Sequence, residues 1–277
     1  MRPIIKWVGG KTQLLPEIMK RMPRDWNKGT YHEPFFGGGA LYFALEPQRA
    51  IISDLNADLV MMYSQVRSIA RRRVEHWLKK FQADHSQKHY EQIRTQWNKG
   101  SSQHGAPHRA AMFIYLNKTC FNGLWRVNRH GHFNVPMGDY KKPNIHDRKA
   151  LADVSRLLAS ASLKAGDFVS GATEIERGDF VYYDPPYDPI SATSSFTRYT
   201  GDFGPTHQEA LADLAAQLVG RGVRVMLSNN NTAFIRKLYR DRGFRLHRVR
   251  AKRSINADTS KRGAITELII TGGYKCA

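Results

Sequence analysis

The 277 residues carry 43 Lys plus Arg against 24 Asp plus Glu, and the resulting +19 implies a polyanionic partner, nucleic acid before membrane. Two cysteines, Cys120 and Cys276, are too few for a disulfide framework and point to a reducing cytoplasm. No apolar run approaches the roughly 18 residues of a spanning helix, and the opening residues read as a short strand, not a signal peptide.

In chain order, Pro3 to Val8 is extended and runs into Gly9-Gly10-Lys11-Thr12. A phosphate-binding loop would need glycine where Ile5 stands, so a nucleoside-triphosphatase is excluded. Leu14, Leu15, Ile18, Met19 and Met22 mark one helical face. Thr30 to Phe36 is a strand leading into Gly37-Gly38-Gly39-Ala40 and a helix, a turn that lets backbone approach a ligand closely. Glu33 lies at that strand's end. The next strand, Ala50 to Ser53, closes on Asp54, placed to bond both hydroxyls of a ribose. Tyr42 stands where the dinucleotide fingerprint needs its last glycine, which favours a single nucleoside.

From Ala57 to Thr119 the pattern is helical and basic, with Leu59, Met62, Tyr63, Val66 and Ile69 on one stripe. Ala111, Phe113, Ile114, Tyr115 and Leu116 predict a buried helix, and Arg71-Arg72-Arg73 a solvated face. His85 and His89 have the spacing of helical metal ligands but lack a third ligand, so no metal is expected. Cys120 to Tyr140 reads as a β-hairpin, two short extended stretches around a polar glycine turn. Its Asn and Arg residues are the types that pair with adenine and guanine edges, and an apolar residue beside them can wedge into a base stack.

Asp147 to Ser160 is a helix, and Ser162 to Phe168 a strand ending in Asp167-Phe168. Phe180 to Tyr183 is a buried strand stopped by Asp184-Pro185-Pro186-Tyr187, since neither proline offers an N–H and both fix φ. This hook suits a flat heterocycle with an exocyclic amine: Asp184 and the Pro185 carbonyl accept its hydrogens, and Tyr187 stacks on the ring. Asp188 to Gly204 is expected to form a mobile loop over the site. Gln208 to Val219 is helical, Val223 to Ser228 a strand and Thr232 to Tyr239 a helix. Phe244 to Ile255 and Ala264 to Ile270 read as antiparallel strands, the first made basic by Arg245, Arg248, Arg250, Lys252 and Arg253.

These motifs resemble, over nearly the whole chain, the Dam-type DNA adenine N6-methyltransferases whose recognition domain lies between the cofactor motif and Asp-Pro-Pro-Tyr. Lys6-Trp7-Val8-Gly9-Gly10-Lys11 is similar to the N-terminal motif, implying that Trp7 and Lys11 line the S-adenosylmethionine pocket and Lys6 reaches DNA. Glu33 to Ala40 resembles the methionine-binding motif, placing Glu33, Phe35, Gly37 and Gly39 at the cofactor. Ser53-Asp54-Leu55-Asn56 resembles the ribose motif through Asp54, and Asp167-Phe168 the adenine-side motif. The resemblance extends Asp184 to the cofactor as well. By the same resemblance the hairpin reads GATC: Asn122 fills the gap left by the flipped base, Leu124 wedges into the duplex and Arg126 reads guanine. Pro136 and Tyr140 touch neighbouring bases, and Phe121 and Asn128 complete the DNA-facing set. Phe121 stands where the enterobacterial enzymes have Tyr, and Trp125 where a smaller residue is usual.

The resemblance implies an α/β fold: a seven-stranded Rossmann-like sheet of the S-adenosylmethionine-dependent methyltransferase type with an inserted helical plus β-hairpin recognition domain. Residues 1–56 and 145–277 are expected to form the catalytic domain and 57–144 the recognition domain. The activity expected is methyl transfer from S-adenosylmethionine to N6 of a flipped adenine, with Asp184, Pro185, Pro186 and Tyr187 as the catalytic hook. The partner expected is double-stranded DNA, met by a monomer that is cytoplasmic, nucleoid-associated and bacterial or phage-encoded. A methyltransferase for another planar amine would carry Ser or Asn at 184. A DNA-binding module without catalysis would show decay at Asp184, Tyr187 or Gly39, and all three are in place.

Overall fold

The computed structural model describes residues 3–100, 104–190, 203–252 and 264–276. Its strands are β1 (Tyr31–Glu33), β2 (Ala50–Asp54), β3 (Ala161–Ala165), β4 (Phe180–Tyr183), β5 (Arg224–Asn230), β6 (Arg245–Lys252) and β7 (Ala264–Gly272). They form one mixed α/β sheet in the order β3-β2-β1-β4-β5-β7-β6, the seven-stranded Rossmann-like arrangement expected. β1 pairs in parallel with β2 and β4, and β4 with β5. β7 runs antiparallel to both β5 and β6. The helices are α1 (Leu15–Met19), α2 (Ala40–Leu45), α3 (Ala57–Arg67), α4 (Arg71–Ala83), α5 (Gln87–Asn98), α6 (Gly105–Thr119), α7 (Arg148–Leu157), α8 (Pro205–Gly220) and α9 (Ala233–Arg240). Among the described residues no helix is long and apolar enough to cross a membrane.

The chain divides into two compact units. The first comprises Met1–Gly10, Gly37–Glu46 and Asn56–Ala165, the second Lys11–Phe36, Pro47–Leu55 and Gly166–Ala277. In the first, α6 is the hub. Its residues from Ala110 to Asn117 are all buried, and α3, α4 and α5 pack around it. A helix enclosed on all sides needs no polar face, which is why its apolar residues do not follow one stripe. Asn56, Ser86 and Asp147 cap α3, α5 and α7 by accepting from Leu59, His89 and Ala150 amides.

In the second unit all four residues of β4 are buried, the continuous apolar run of a central parallel strand. Val181 and Tyr183 of β4, Val225 and Leu227 of β5, and Leu268 and Ile270 of β7 pack on Leu211, Ala215, Ile235 and Tyr239 of α8 and α9. The buried Asp179 carboxylate ties the start of β1 to β4, accepting from the amides of Thr30 (2.8 Å) and Glu176 (2.9 Å) and bonding His32 Nε2 (2.9 Å). Burial opposes its charge, but these donors hold the carboxyl below its ordinary range.

Three expectations are revised. Pro3 to Val8 forms no strand. The Asn117 side chain instead bonds both the amide and the carbonyl of Lys6 (2.8 and 2.7 Å), as a neighbouring strand would. The helix foreseen from Leu14 to Met22 shortens to α1, after a 3-10 turn at Lys11–Gln13. His85 and His89 do not share a helix, because Ser86 starts α5 between them; His85 Nδ1 lies 3.0 Å from Tyr115 Oη. The loop foreseen at Asp188 to Gly204 falls largely on residues 191–202, and Arg253 on 253–263, both outside the described residues.

Candidate active site

Three parallel strands of the second unit end in carboxylates. β1 ends on Glu33 and β2 on Asp54, and Asp184 follows the last residue of β4. The strand order reverses between β1 and β4, and in open α/β sheets ligands sit outside the carboxyl ends of strands at that point. Glu33 is buried and accepts a hydrogen bond from Tyr31 Oη (2.7 Å). Phe35 stacks on Phe168 (centroids 5.6 Å apart, planes at 24°), and Asp167 stays exposed, its carboxylate accepting from the amides of Val169 and Ser170. Carboxylates that accept from ribose hydroxyls and offset a sulfonium charge, together with apolar ring faces for adenine, are what S-adenosylmethionine requires, so these residues fit it.

At the hook, Lys11 Nζ lies 2.8 Å from Asp184 Oδ1 and 4.5 Å from the Tyr187 ring centre. Ser228 donates to the same Oδ1 (2.7 Å), and Tyr187 Oη donates to Glu267 Oε2 (3.1 Å). Burial pushes the Asp184 carboxyl above its ordinary range, against the opposing pull of the Lys11 charge and the Lys11 and Ser228 hydrogen bonds. Burial and the nearby carboxylates push the Tyr182 and Tyr187 hydroxyls up too, which keeps both protonated as donors. Sequence reading set Lys11 at the cofactor and overlooked Ser228 and Glu267. The structure brings all three to the hook.

In the first unit Trp7 packs on Phe113 (6.1 Å, 24°) and against the glycine turn. A Cβ at Gly37 would come within 2.6 Å of the indole, and its φ of 50° is left-handed, so only glycine fits. Gly39, also left-handed, caps α2.

The segment 120–140 is a hairpin of an irregular kind. Antiparallel bridges join Cys120 to Met137 and Val127 to Phe133, while a 3-10 turn occupies Phe121–Gly123 in place of a continuous first strand. Burial alternates, with Trp125, Phe133 and Val135 inward and Arg126, Asn134 and Pro136 outward. Trp125 stacks on Phe113 of α6 (3.9 Å, 29°), so its bulk is spent on anchoring the hairpin. Asn122 is exposed and left-handed (φ 54°), Phe121 is exposed and Leu124 half-buried. Arg126 Nε donates to Asn134 Oδ1 (2.9 Å). Asn128 Oδ1 accepts from the amides of His130 and His132, which shapes the turn. Lys6 Nζ donates to Tyr140 Oη (3.1 Å) and sits over its ring, joining two of the expected DNA-facing residues. The fully buried Asn117, which sequence reading missed, adds a bond to the Gly123 carbonyl (3.2 Å) and so links Lys6 to the Asn122–Gly123 turn. Burial pushes the Cys120 thiol up to about 12, so it stays a neutral core side chain.

The family model described as D12 class N6 adenine-specific DNA methyltransferase matches residues 7–255. The chain is 42% identical over 275 residues to the Type II methyltransferase M1.LlaDCHI of Lactococcus lactis subsp. cremoris, across 98% of this chain and 95% of that one. It is 33% identical over 270 residues to the DNA adenine methylase of Salmonella typhi, across 97% and 94% of the two chains. It is also 34% identical over 272 residues to the DNA N-6-adenine-methyltransferase of Escherichia phage P1, across 97% of this chain and 35% of that longer one. With the match spanning the glycine turn, the hairpin and the hook alike, the chain belongs to the D12 class of N6 adenine-specific DNA methyltransferases, enzymes that take the methyl group from S-adenosylmethionine.

Proposed function

We propose that the enzyme methylates adenine N6 within GATC, on a base rotated out of the duplex into the Asp184–Tyr187 hook. The observation that carries this is the hook's place: a carboxylate, two rigid carbonyls and an aromatic ring follow the buried strand β4 at the switch point of the sheet. A base stacked and paired in the duplex cannot enter the hook, so extrusion is the physical requirement for chemistry there. The amine lone pair is delocalised into the ring and is a poor nucleophile. Hydrogen bonds from N6 to the Asp184 carboxylate and the Pro185 carbonyl favour a pyramidal nitrogen and localise that pair as charge develops. Tyr187 offers its ring face to the base, with its hydroxyl fixed on Glu267. S-adenosylmethionine supplies the electrophilic methyl on a sulfonium sulfur. Glu33, Phe35, Asp54, Asp167 and Phe168 of the second unit are the residues we assign to holding it.

For DNA we assign residues 57–144 as the recognition domain, with Lys6 reaching across from the N-terminal segment. Arg126, Asn128, Pro136 and Tyr140 face bases, and Asn122, Leu124 and Phe121 occupy the space of the extruded one. The similarity to the adenine methylases supports GATC as the site, and the outward Arg126 supports direct reading of its guanine. Action as a monomer, in the cytoplasm and on nucleoid DNA of bacterial or phage origin, belongs to the same proposal.

Sequencing DNA from cells that express the chain tests this. N6-methyladenine confined to GATC is the expected result, with none in cells expressing Asp184→Ala. Methylation centred on another sequence overturns GATC, and methylation by Asp184→Ala within about tenfold of wild type overturns the role of the hook.

A further inference from the structure

The strand beside the hook shapes it. Tyr183 pairs with Leu227, so the next residue of each strand, Asp184 and Ser228, lie side by side. Ser228 Oγ is 2.7 Å from Asp184 Oδ1 and 2.9 Å from Tyr182 Oη. A serine has one hydrogen to give, and an ionised carboxylate can only accept. Ser228 therefore donates to Asp184, and Tyr182, kept protonated by its burial, donates to Ser228. Lys11 Nζ takes the same Oδ1 (2.8 Å), which gives that oxygen two donors, one of them charged.

The other hook acceptors divide cleanly. The Pro186 carbonyl accepts from Gln208 Nε2 (2.8 Å), and Gln208 Oε1 in turn accepts from Asn229 Nδ2 (3.0 Å). The residue after the hook, Asp188, is fixed by Asn229 Oδ1 on its amide (3.0 Å) and Asn230 Nδ2 on its carbonyl (2.6 Å). Among the described residues, Asp184 Oδ2 and the Pro185 carbonyl receive no hydrogen bond. The Asp184 side chain keeps 17% of its surface open. A primary amine has two hydrogens and needs two acceptors.

We propose that Ser228 is a positioning residue for methyl transfer: with Lys11 it holds Oδ1 of Asp184, so that Oδ2 is the oxygen that receives the target amine. The proposal rests on the reading of Asp184 given above. A carboxylate free to rotate would offer either oxygen at a range of angles. One with Oδ1 bonded to two fixed donors offers Oδ2 in one direction, at no cost in ordering at the moment of reaction. Among the described residues, Lys11, Tyr182, Tyr187, Glu33 and Glu267 are the charged and titratable groups that act on this cluster, and of these Lys11 supplies the positive charge.

The test is steady-state kinetics of Ser228→Ala, Ser228→Thr and Tyr182→Phe on a duplex substrate. Loss of one hydrogen bond to a charged group should lower kcat of Ser228→Ala by roughly tenfold to a hundredfold, with S-adenosylmethionine and DNA affinities within about twofold of wild type. Donors favour the ionised carboxyl, so losing Ser228 raises its pKa and moves the acidic limb of kcat to higher pH. Ser228→Thr keeps the hydroxyl and should recover most of kcat, and Tyr182→Phe should fall between the two. Wild-type kcat in Ser228→Ala, or a loss with an unmoved acidic limb and no recovery in Ser228→Thr, overturns the proposal. Should Ser228→Ala fail to fold, Ser228→Cys, similar in shape but a weaker donor, is judged by the same fall and the same limb. Asp184→Ala separates the two levels: its retained activity defeats the hook itself, whereas an inactive Asp184→Ala beside an unimpaired Ser228→Ala defeats only the role of Ser228.

Discussion

Arg126 shows how much a single side chain can be oriented before DNA arrives. Its Nε is bonded to Asn134 Oδ1 across the hairpin (2.9 Å), and among the described residues no hydrogen bond engages its two terminal nitrogens. Those are the atoms that can pair with guanine O6 and N7 together, a pattern no other base presents. Arg126→Ala should therefore cost about 1–3 kcal/mol on GATC and less on duplexes altered at that guanine, with S-adenosylmethionine binding intact. Competition between GATC and single-substitution duplexes measures it. A uniform loss over all sequences would show a phosphate contact instead. Asn122 is the complementary case: a non-glycine residue at positive φ costs backbone energy, and the Asn117 bond to the Gly123 carbonyl helps to hold it there.

At the scale of elements, the hairpin at 120–140 has two isolated antiparallel bridges, too few to stand alone in water. Its stability comes from the face it buries. Trp125 (4% exposed) stacks on Phe113 and meets Phe133 at 4.6 Å and Trp97 edge-on at 5.3 Å, so one side chain joins both hairpin arms to α5 and α6. Trp125→Ala should destabilise the first unit by about 3–5 kcal/mol, from lost burial and the cavity left behind. Chemical denaturation followed by tryptophan fluorescence checks the value. Hydrogen exchange should show amides 123–135 losing protection first. Trp125→Phe, which keeps the stack, should recover more than half of the loss.

For the whole molecule the relevant quantity is the +19 charge. That figure is already net of the acidic residues, so ion pairs such as Arg71 with Glu75, Arg109 with Asp58, Arg224 with Asp25 and Arg242 with Asp213 leave it unchanged. An excess of that size should favour association with any duplex. Binding to a non-cognate duplex should weaken linearly in a log–log plot against salt, with a slope of about −0.9 per phosphate neutralised. Fluorescence anisotropy across a salt series gives that slope, and a value near zero would assign the charge to something other than DNA. Base-specific contacts such as Arg126 should leave the slope unchanged, which separates affinity from reading at this scale.

Much of this was legible in the amino-acid order because it depends on local rules. Two prolines end β4 after Tyr183 whatever surrounds them, a glycine run between strand and helix needs left-handed backbone, and alternation between strand and helix patterns implies a mostly parallel sheet. Such rules fixed the hook, the glycine turn and the α/β class, and resemblance added the count of strands and the methyl donor. What they could not reach depends on residues far apart in sequence. Ser228 lies 44 positions from Asp184 and meets it only because β4 and β5 pair in one register. Asn117 replaces a strand neighbour for Lys6 from 111 positions away, so the expected N-terminal strand does not form. Lys11, assigned from sequence to the cofactor, lies on Asp184 because the buried carboxylate needs a counter-charge, and the tertiary fold places that ammonium within 2.8 Å. A side chain's partners follow from which surfaces are buried together, and that is settled by the packing of the whole chain.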